Sequence, residues 1–113
     1  MPFRIMIAAD HHSLIQMISG ILRLFSLSCV ITLATTASEM VTENLQEADP
    51  HLLILGFSRS HARNVIKEAR TSQPRLKVLW LGEDSEALPE ADATLSRSVT
   101  PLRLVDAMTR ALR

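Results

Sequence analysis

The run Leu52-Leu-Ile-Leu55 sets four large aliphatic side chains in succession, and Gly56 and Phe57 extend it. A strand with one wet face alternates apolar and polar residues. A strand covered on both faces does not, and that second pattern belongs to parallel sheets flanked by helices. Asp49-Pro50 ahead of the run ends any preceding helix, because proline disfavours helical geometry in the residue before it. The chain therefore has a central strand that the rest must cover on two sides. Open sheets of this kind place ligands and chemistry outside the carboxyl ends of their strands. At that point this strand presents Gly56, which has no side chain.

Similar runs flank the central one. Phe3 to Ala9, broken only by Arg4, reads as a first strand that enters a helix at Asp10-His11-His12-Ser13. Leu14, Ile18, Ile21, Leu22 and Phe25 recur at three- and four-residue spacing and give that helix one apolar face. Leu27 to Leu33 is a second strand, Thr35, Thr36 and Ser38 supply turn and N-cap chemistry, and a polar helix runs to about Ala48 with Met40, Val41 and Leu45 inward. Ser58 or Ser60 can cap a third helix, whose stripe is Ala62, Val65, Ile66 and Ala69. Lys77 to Leu81, closed by Gly82, is a fourth strand, and a short fifth lies around Thr94 to Ser96. Thr100-Pro101 sets a cap residue before a proline at the first helical position. The last helix then shows Leu102, Val105, Met108 and Leu112 on one side and Arg103, Arg110 and Arg113 away from it.

Strand and helix alternate throughout, which predicts a single α/β domain over residues 1–113: a parallel sheet with helices on both faces and right-handed crossovers. One interval is too short for a full unit. The eleven residues from Gly82 to Asp92 hold five acids and Pro89, so the fourth helix is shortened to a turn or two, or missing.

Charge and composition exclude several classes. Twelve basic side chains balance twelve acidic ones, whereas a surface that binds phosphate backbones needs a basic excess, so direct nucleic-acid binding by this domain is not expected. No stretch is long and apolar enough for a membrane span, and the amino terminus turns polar too early for a signal peptide, so a cytoplasmic location is expected. Cys29 is the single cysteine, a candidate buried thiol. His11, His12, His51 and His61 lack zinc-ligand spacing, and Ser58 and Ser60 lack a nucleophile elbow. The three glycines, Gly20, Gly56 and Gly82, form no phosphate-binding loop, and no cofactor is expected.

Three stretches carry a family resemblance. Ile5-Met-Ile-Ala-Ala-Asp-His-His-Ser-Leu14, Pro50 to Leu55, and Leu95-Ser-Arg-Ser-Val-Thr-Pro101 are similar to the first, third and fifth strand regions of bacterial response-regulator receiver (CheY-like) domains. The resemblance covers nearly the whole chain and implies a doubly wound, flavodoxin-like five-stranded sheet in the order 2-1-3-4-5. It also implies where the family's phosphorylation pocket falls. The phospho-acceptor position is Gly56, the acidic pair is Ala9 and Asp10, the hydroxyl position is Gly82, and the lysine is Arg97, followed by Ser98 where the family has proline.

This set cannot do the family's chemistry. An acyl phosphate needs a carboxylate nucleophile, and the residues flanking Gly56 are Leu55 and Phe57. Mg²⁺ wants hard oxygen ligands in octahedral geometry, and Asp10 is the one candidate ligand left. Arginine is no substitute for a lysine point charge. The expectation is a degenerate pseudo-receiver in which Asp10 either pairs with Arg97, which would stand in for a metal, or caps the first helix.

The function that follows is a non-catalytic, phosphorylation-independent signalling domain, N-terminal to an output segment. It would act by contact with a protein partner or a second copy through the face of the fourth strand and last helix. A shortened fourth helix would leave a groove there lined by Trp80, Leu88, Leu95 and Val99. The alternative is a sensor of a small molecule or anion. It would use the strand-end cleft at Asp10, Gly56, Gly82 and Arg97, where two glycines open space and Arg97 offers a positive charge.

Overall fold

The computed structural model describes residues 2–24, 29–82 and 87–112. In order, the elements are β1 (Phe3–Ala9), α1 (His12–Leu24), β2 (Cys29–Thr35), α2 (Glu39–Ala48), β3 (Leu52–Gly56), α3 (Arg59–Ser72), β4 (Lys77–Gly82), β5 (Ala93–Ser96) and α4 (Pro101–Ala111). The five strands form one parallel sheet in the order β2-β1-β3-β4-β5, as expected.

Two apolar layers explain why the central strands do not alternate. Ile5, Ile7 and Ala9 of β1, Leu52 and Ile54 of β3, and Leu79 and Leu81 of β4 point to one face, where α1 and α4 cover them. Met6 and Ala8, Leu53 and Leu55, and Val78 and Trp80 point to the other, under α2 and α3. Every residue of β3 is buried. The edge strand β2 is only half-covered, and its register with β1 shifts between Ile31 and Leu33, leaving Thr32 as an extra residue. Thr32 Oγ1 donates to the carbonyl of Ile5 at 3.4 Å across the irregularity.

The helix faces follow the expected spacing in α1, with Leu14, Ile18, Ile21 and Leu22 buried together with Ile15. Phe25 and Leu27 lie outside the described residues. In α3 the stripe Ala62, Val65, Ile66 and Ala69 is buried as read. Two helices correct the reading. Val41 and Leu45 are buried in α2 as expected, but Met40 is exposed and Ala48 completes the buried row. In α4 Leu102 is 70% exposed, and Val105 and Leu112 are half-buried. The stripe against the sheet is Leu104, Ala107, Met108 and Ala111. In both helices alanines complete an i, i+3/i+4, i+7 row, and their small side chains let the backbone approach the sheet.

The caps are mixed. Thr100 Oγ1 accepts from the amide of Arg103 at 3.4 Å, with Pro101 at the first helical position. Ser38 and Ser58 stand at the N-cap positions of α2 and α3 without a side-chain capping bond. Thr35 ends β2, and its Oγ1 accepts from Ala37 N at 3.0 Å. Asp49 closes α2 in the left-handed conformation (φ 42°), and its carboxylate and carbonyl both accept from the Arg4 guanidinium. Cys29 is half-buried, at the margin of the α1/α4 layer rather than inside it, and burial pushes its thiol up from the ordinary value.

The connection from β4 to β5 carries no helix in its described part. Residues 87–92 run as turns and bends; residues 83–86 lie outside the described residues.

Candidate functional site

The carboxyl ends of β1, β3, β4 and β5 bring together the residues singled out at the old pocket. Ala9 and Gly56 are register partners in the β1–β3 ladder. Immediately beyond them, the amide of Asp10 donates to the carbonyl of Gly56 at 3.2 Å. From β5, Arg97 reaches back over these strand ends. Its Nη2 donates to the Gly56 carbonyl at 2.6 Å and its Nε to the Leu81 carbonyl at 3.3 Å, while its amide bonds the Gly82 carbonyl at 3.1 Å. Its Nη1 lies 3.2 Å from Asp10 Oδ1. The Arg97 side chain is 16% exposed and that of Asp10 is 40%. His11 Nε2 stands 3.9 Å from the same Asp10 oxygen. One guanidinium thus ties together the ends of four strands, and the expected pairing of Asp10 with Arg97 is present.

The two glycines do not open a cleft. A Cβ placed on Gly56 would collide with the Leu14 side chain and lie 2.9 Å from the Cβ of Ala9. On Gly82 it would lie 2.7 Å from Cη2 of Trp80. Trp80 sits two residues earlier on the same strand face, and its indole folds over the glycine; its Nε1 donates to the carbonyl of Phe57 at 2.9 Å. Leu14, Ala9 and Trp80 therefore fill the space that side chains at positions 56 and 82 would take, so the two glycines add no room of their own beside Asp10 and Arg97.

The groove expected along the fourth strand also takes another form. Trp80 and Leu88 are 4% and 1% exposed and belong to the α2/α3 layer, whereas Leu95 and Val99 are half-buried against the α1/α4 layer. The pairs lie on opposite faces of the sheet: Leu95 is the register partner of Leu81, the neighbour of Trp80, and successive residues of a strand alternate faces. Leu88, carried by residues 87–92, is buried in the same layer as Trp80. The opening beside β5 lies elsewhere: a surface groove of about 520 Å³ between β5 and α4, lined by Lys77, Asp92, Leu95, Arg103, Asp106 and Arg110 among others.

Among the described residues no three His, Cys, Asp or Glu side chains are grouped to hold a metal. His61 Nε2 is 2.7 Å from Ser38 Oγ, and its ring packs on Phe57 at 4.5 Å between centroids. Among the described residues no carboxylate bonds the imidazole, so the pair lacks there the third group that a serine nucleophile relies on. His51 Nδ1 accepts from the Arg4 amide at 2.9 Å and stitches the start of β1 to β3.

Sequence reasoning missed the polar ladder on α3. Arg59 donates to the Ala87 carbonyl at 2.9 Å, Arg63 Nε lies 2.8 Å from Glu90 Oε1, and Arg70 donates to Asp92 Oδ2 at 2.7 Å and to the Glu90 carbonyl. A hydrogen bond from its own backbone amide is the main reason the Glu90 carboxyl lies below its ordinary value. Partial desolvation opposes this, while Arg63 and Lys67 add to it. The signal was present: positions 59, 63 and 70 share one helix face, and the Gly82–Asp92 interval is acid-rich.

Comparison with solved structures gives the architecture a name. The signal receiver domain of NarL from Mycobacterium tuberculosis superposes with a TM-score of 0.84 at 16% identity, covering 98% of this chain and 96% of that one. The fold is that of a response-regulator receiver domain. The non-phosphorylated receiver domain of the stress response regulator RcsB from Escherichia coli matches at a TM-score of 0.82 and 19% identity, over 96% of this chain and 92% of that one. RcsB from Salmonella enterica serovar Typhimurium bound to promoter rprA matches at 0.79 and 18%, and the chain spans 61% of that longer protein's length. No protein-family model and no curated protein matches the sequence. At these identities the receiver likeness is one of fold. Helices α1 to α3 and the five strands follow the receiver order, and residues 87–92 stand where another helix would connect β4 to β5.

Proposed function

We propose that this receiver fold serves as a non-catalytic signalling domain of a two-component-type regulator, that it works without phosphorylation, and that it acts by contact with a protein. The observation that carries the reading is Arg97. Its guanidinium binds the carbonyl of Gly56 and the carboxylate of Asp10, so a cation of the protein itself occupies the strand ends where a metal and a phosphoryl group would be needed. No carboxylate stands on β3 to accept a phosphoryl group. The space beside Gly56 and Gly82 is filled by Leu14, Ala9 and Trp80, which removes support from the anion-sensor reading.

The contact surface is best sought at β5 and α4. Leu102 is exposed there, Leu95 and Val99 are half-buried, and Arg103 and Arg110 face outward. A protein partner or a second copy fits this mixed surface better than a nucleic acid does, given the chain's neutral charge balance. No described helix is long and apolar enough to cross a membrane. A cytoplasmic domain placed ahead of an output segment is consistent with these features.

The test is an amide NMR spectrum recorded alone and then with Mg²⁺ plus beryllofluoride, and separately with acetyl phosphate. Unchanged resonances at Asp10, Gly56 and Arg97 are expected. Shift changes clustered on those residues would overturn phosphorylation independence.

A further inference from the structure

The two ends of the sheet differ. Arg97 spans the carboxyl end, whereas at the amino end a groove of about 500 Å³ opens beside the starts of β1, β3 and β4. Its apolar walls are Phe3, Pro50, Pro74, Leu76 and Leu112. These walls are set before any ligand arrives. His51 Nδ1 accepts from the Arg4 amide at 2.9 Å, which holds the imidazole edge-on to the Phe3 ring, with centroids 5.6 Å apart and planes at 87°. The Leu76 amide donates to the Gln73 carbonyl at 3.1 Å, and Gln73 Nε2 donates to the Leu45 carbonyl at 3.0 Å. The turn that carries Pro74 and Arg75 is thereby tied to α2.

Charge at the rim is unbalanced. The Asp49 carboxylate, which also lines the groove, is taken by the Arg4 guanidinium at 2.9 Å. Lys77 Nζ stands 4.0 Å from Asp92, whose carboxylate already accepts from Arg70 and from the Val78 amide. Arg75 is exposed, and its guanidinium makes no hydrogen bond or ion pair with a described residue. Two cations therefore border an apolar hollow in a chain with no net charge. Concave, mostly apolar sites of roughly 300–1,000 Å³ with a few polar groups at the edge suit small molecules. A protein partner covers a broader face, about 800 Å² on each side. The other exposed large apolar side chains among the described residues, Leu24, Val30, Met40 and Leu102, do not line this groove.

We propose that the amino-end groove binds a small amphipathic carboxylate. Its aryl or short acyl body lies between Phe3, Pro50, Pro74 and Leu112, and its carboxylate meets Arg75, with Lys77 beside it. A guanidinium offers a carboxylate two parallel donors, which fixes the orientation of the acid as well as its charge. Such a ligand gives a receiver fold without an acceptor carboxylate a chemical input at the opposite end of the sheet from Gly56. The site does not depend on whether Arg97 excludes phosphate, so its test is separate from the one above.

An amide NMR titration of the whole chain with naphthoate reads it directly, with naphthylmethanol as the uncharged analogue and inorganic phosphate as the bare anion. Naphthoate is expected to give saturable shifts at Phe3, His51, Arg75 and Lys77, with a Kd on the order of 1 mM or below, and none at Asp10 or Gly56. The alcohol should bind about fivefold more weakly, and phosphate should give no saturable shift at these residues. Arg75→Gln should weaken naphthoate about fivefold and leave the alcohol and the Tm unchanged, because Arg75 is exposed. Phe3→Ala, the second variant, should weaken acid and alcohol alike. Naphthoate shifts that do not saturate, or that centre on Leu102 or on Arg97, would overturn the site. Equal affinity for acid and alcohol, or naphthoate binding unchanged in Arg75→Gln, would overturn the role of the cation, and phosphate binding as tight as naphthoate would overturn the ligand class.

Discussion

Replacing Arg97 by alanine tests the strand-end closure most directly, and the structure sets the size of the effect. The largest single contact is the charge-assisted bond to the Gly56 carbonyl at 2.6 Å. Hydrogen bonds to charged groups contribute roughly 1.5–3 kcal/mol net. The bond to the Leu81 carbonyl is longer, at 3.3 Å, and adds less. The ion pair with Asp10 involves a carboxylate side chain 40% exposed, where solvent screening reduces the contribution to about 0.2–1 kcal/mol. The loss is moderated because the Gly56 carbonyl keeps its bond from the Asp10 amide and is not orphaned. The expected cost of Arg97→Ala is therefore about 2 kcal/mol. With an unfolding entropy of ~2.1 cal/mol/K per residue, a chain of 113 residues loses roughly 8 °C in Tm for that amount. Asp10→Ala should cost no more than about 1 kcal/mol, and the double variant should show a coupling of the same small size. Urea unfolding followed by circular dichroism gives all three values. An Arg97→Ala variant within about 0.5 kcal/mol of the wild type would refute the view that this guanidinium holds the strand ends together.

Three further outcomes follow from the same geometry. Gly56→Asp should lower stability by about 1–3 kcal/mol in chemical unfolding, because its Cβ meets that of Ala9 at 2.9 Å, and it should not by itself restore a beryllofluoride response while Arg97 remains in place. Trp80→Phe should cost about 2 kcal/mol in the same assay, since it strips the bond to the Phe57 carbonyl and uncovers Gly82. The folded state holds the Glu90 carboxyl below its unfolded value, so its contribution is present above the ordinary carboxylate range and lost as pH falls through the lower folded value; thermal melts of Glu90→Gln should show a shallower decline on acidification than the wild type.

The fold was legible because its strongest signals are local. Leu52 to Leu55 announces a doubly covered strand, and the spacing of Ala62, Val65, Ile66 and Ala69 sets the face of α3 whatever it packs against. The inward faces of α2 and α4 were read only in part, at Val41, Leu45 and Met108, because alanine carries little weight in an apolar pattern, yet Ala48, Ala107 and Ala111 also pack against the sheet. The pairing of Asp10 with Arg97 could be read from the receiver resemblance, since both fall on strand ends that the topology brings together. The closing of the glycine spaces could not. It depends on the rotamers of Leu14 and Trp80, and sequence order does not fix which way an indole folds. The groove lined by Trp80, Leu88, Leu95 and Val99 failed for a simpler reason: alternation divides those residues between two faces. The ladder of Arg59, Arg63 and Arg70 needed the position of residues 87–92, which only tertiary structure supplies.

The displaced register at Thr32 has a consequence for the life of the chain before it is folded. The aliphatic runs of β1, β3 and β4 combine β-forming residues with little charge, the composition that pairs indiscriminately when exposed. In the finished sheet those runs lie in the middle. The two borders are β2, kinked by its extra residue, and β5, only four residues long. Neither border offers a long, flat row of backbone donors and acceptors on which another chain could grow. The sheet thus places its stickiest segments where folding hides them and its least regular ones where they remain in view, which favours solubility in a domain whose net charge is zero.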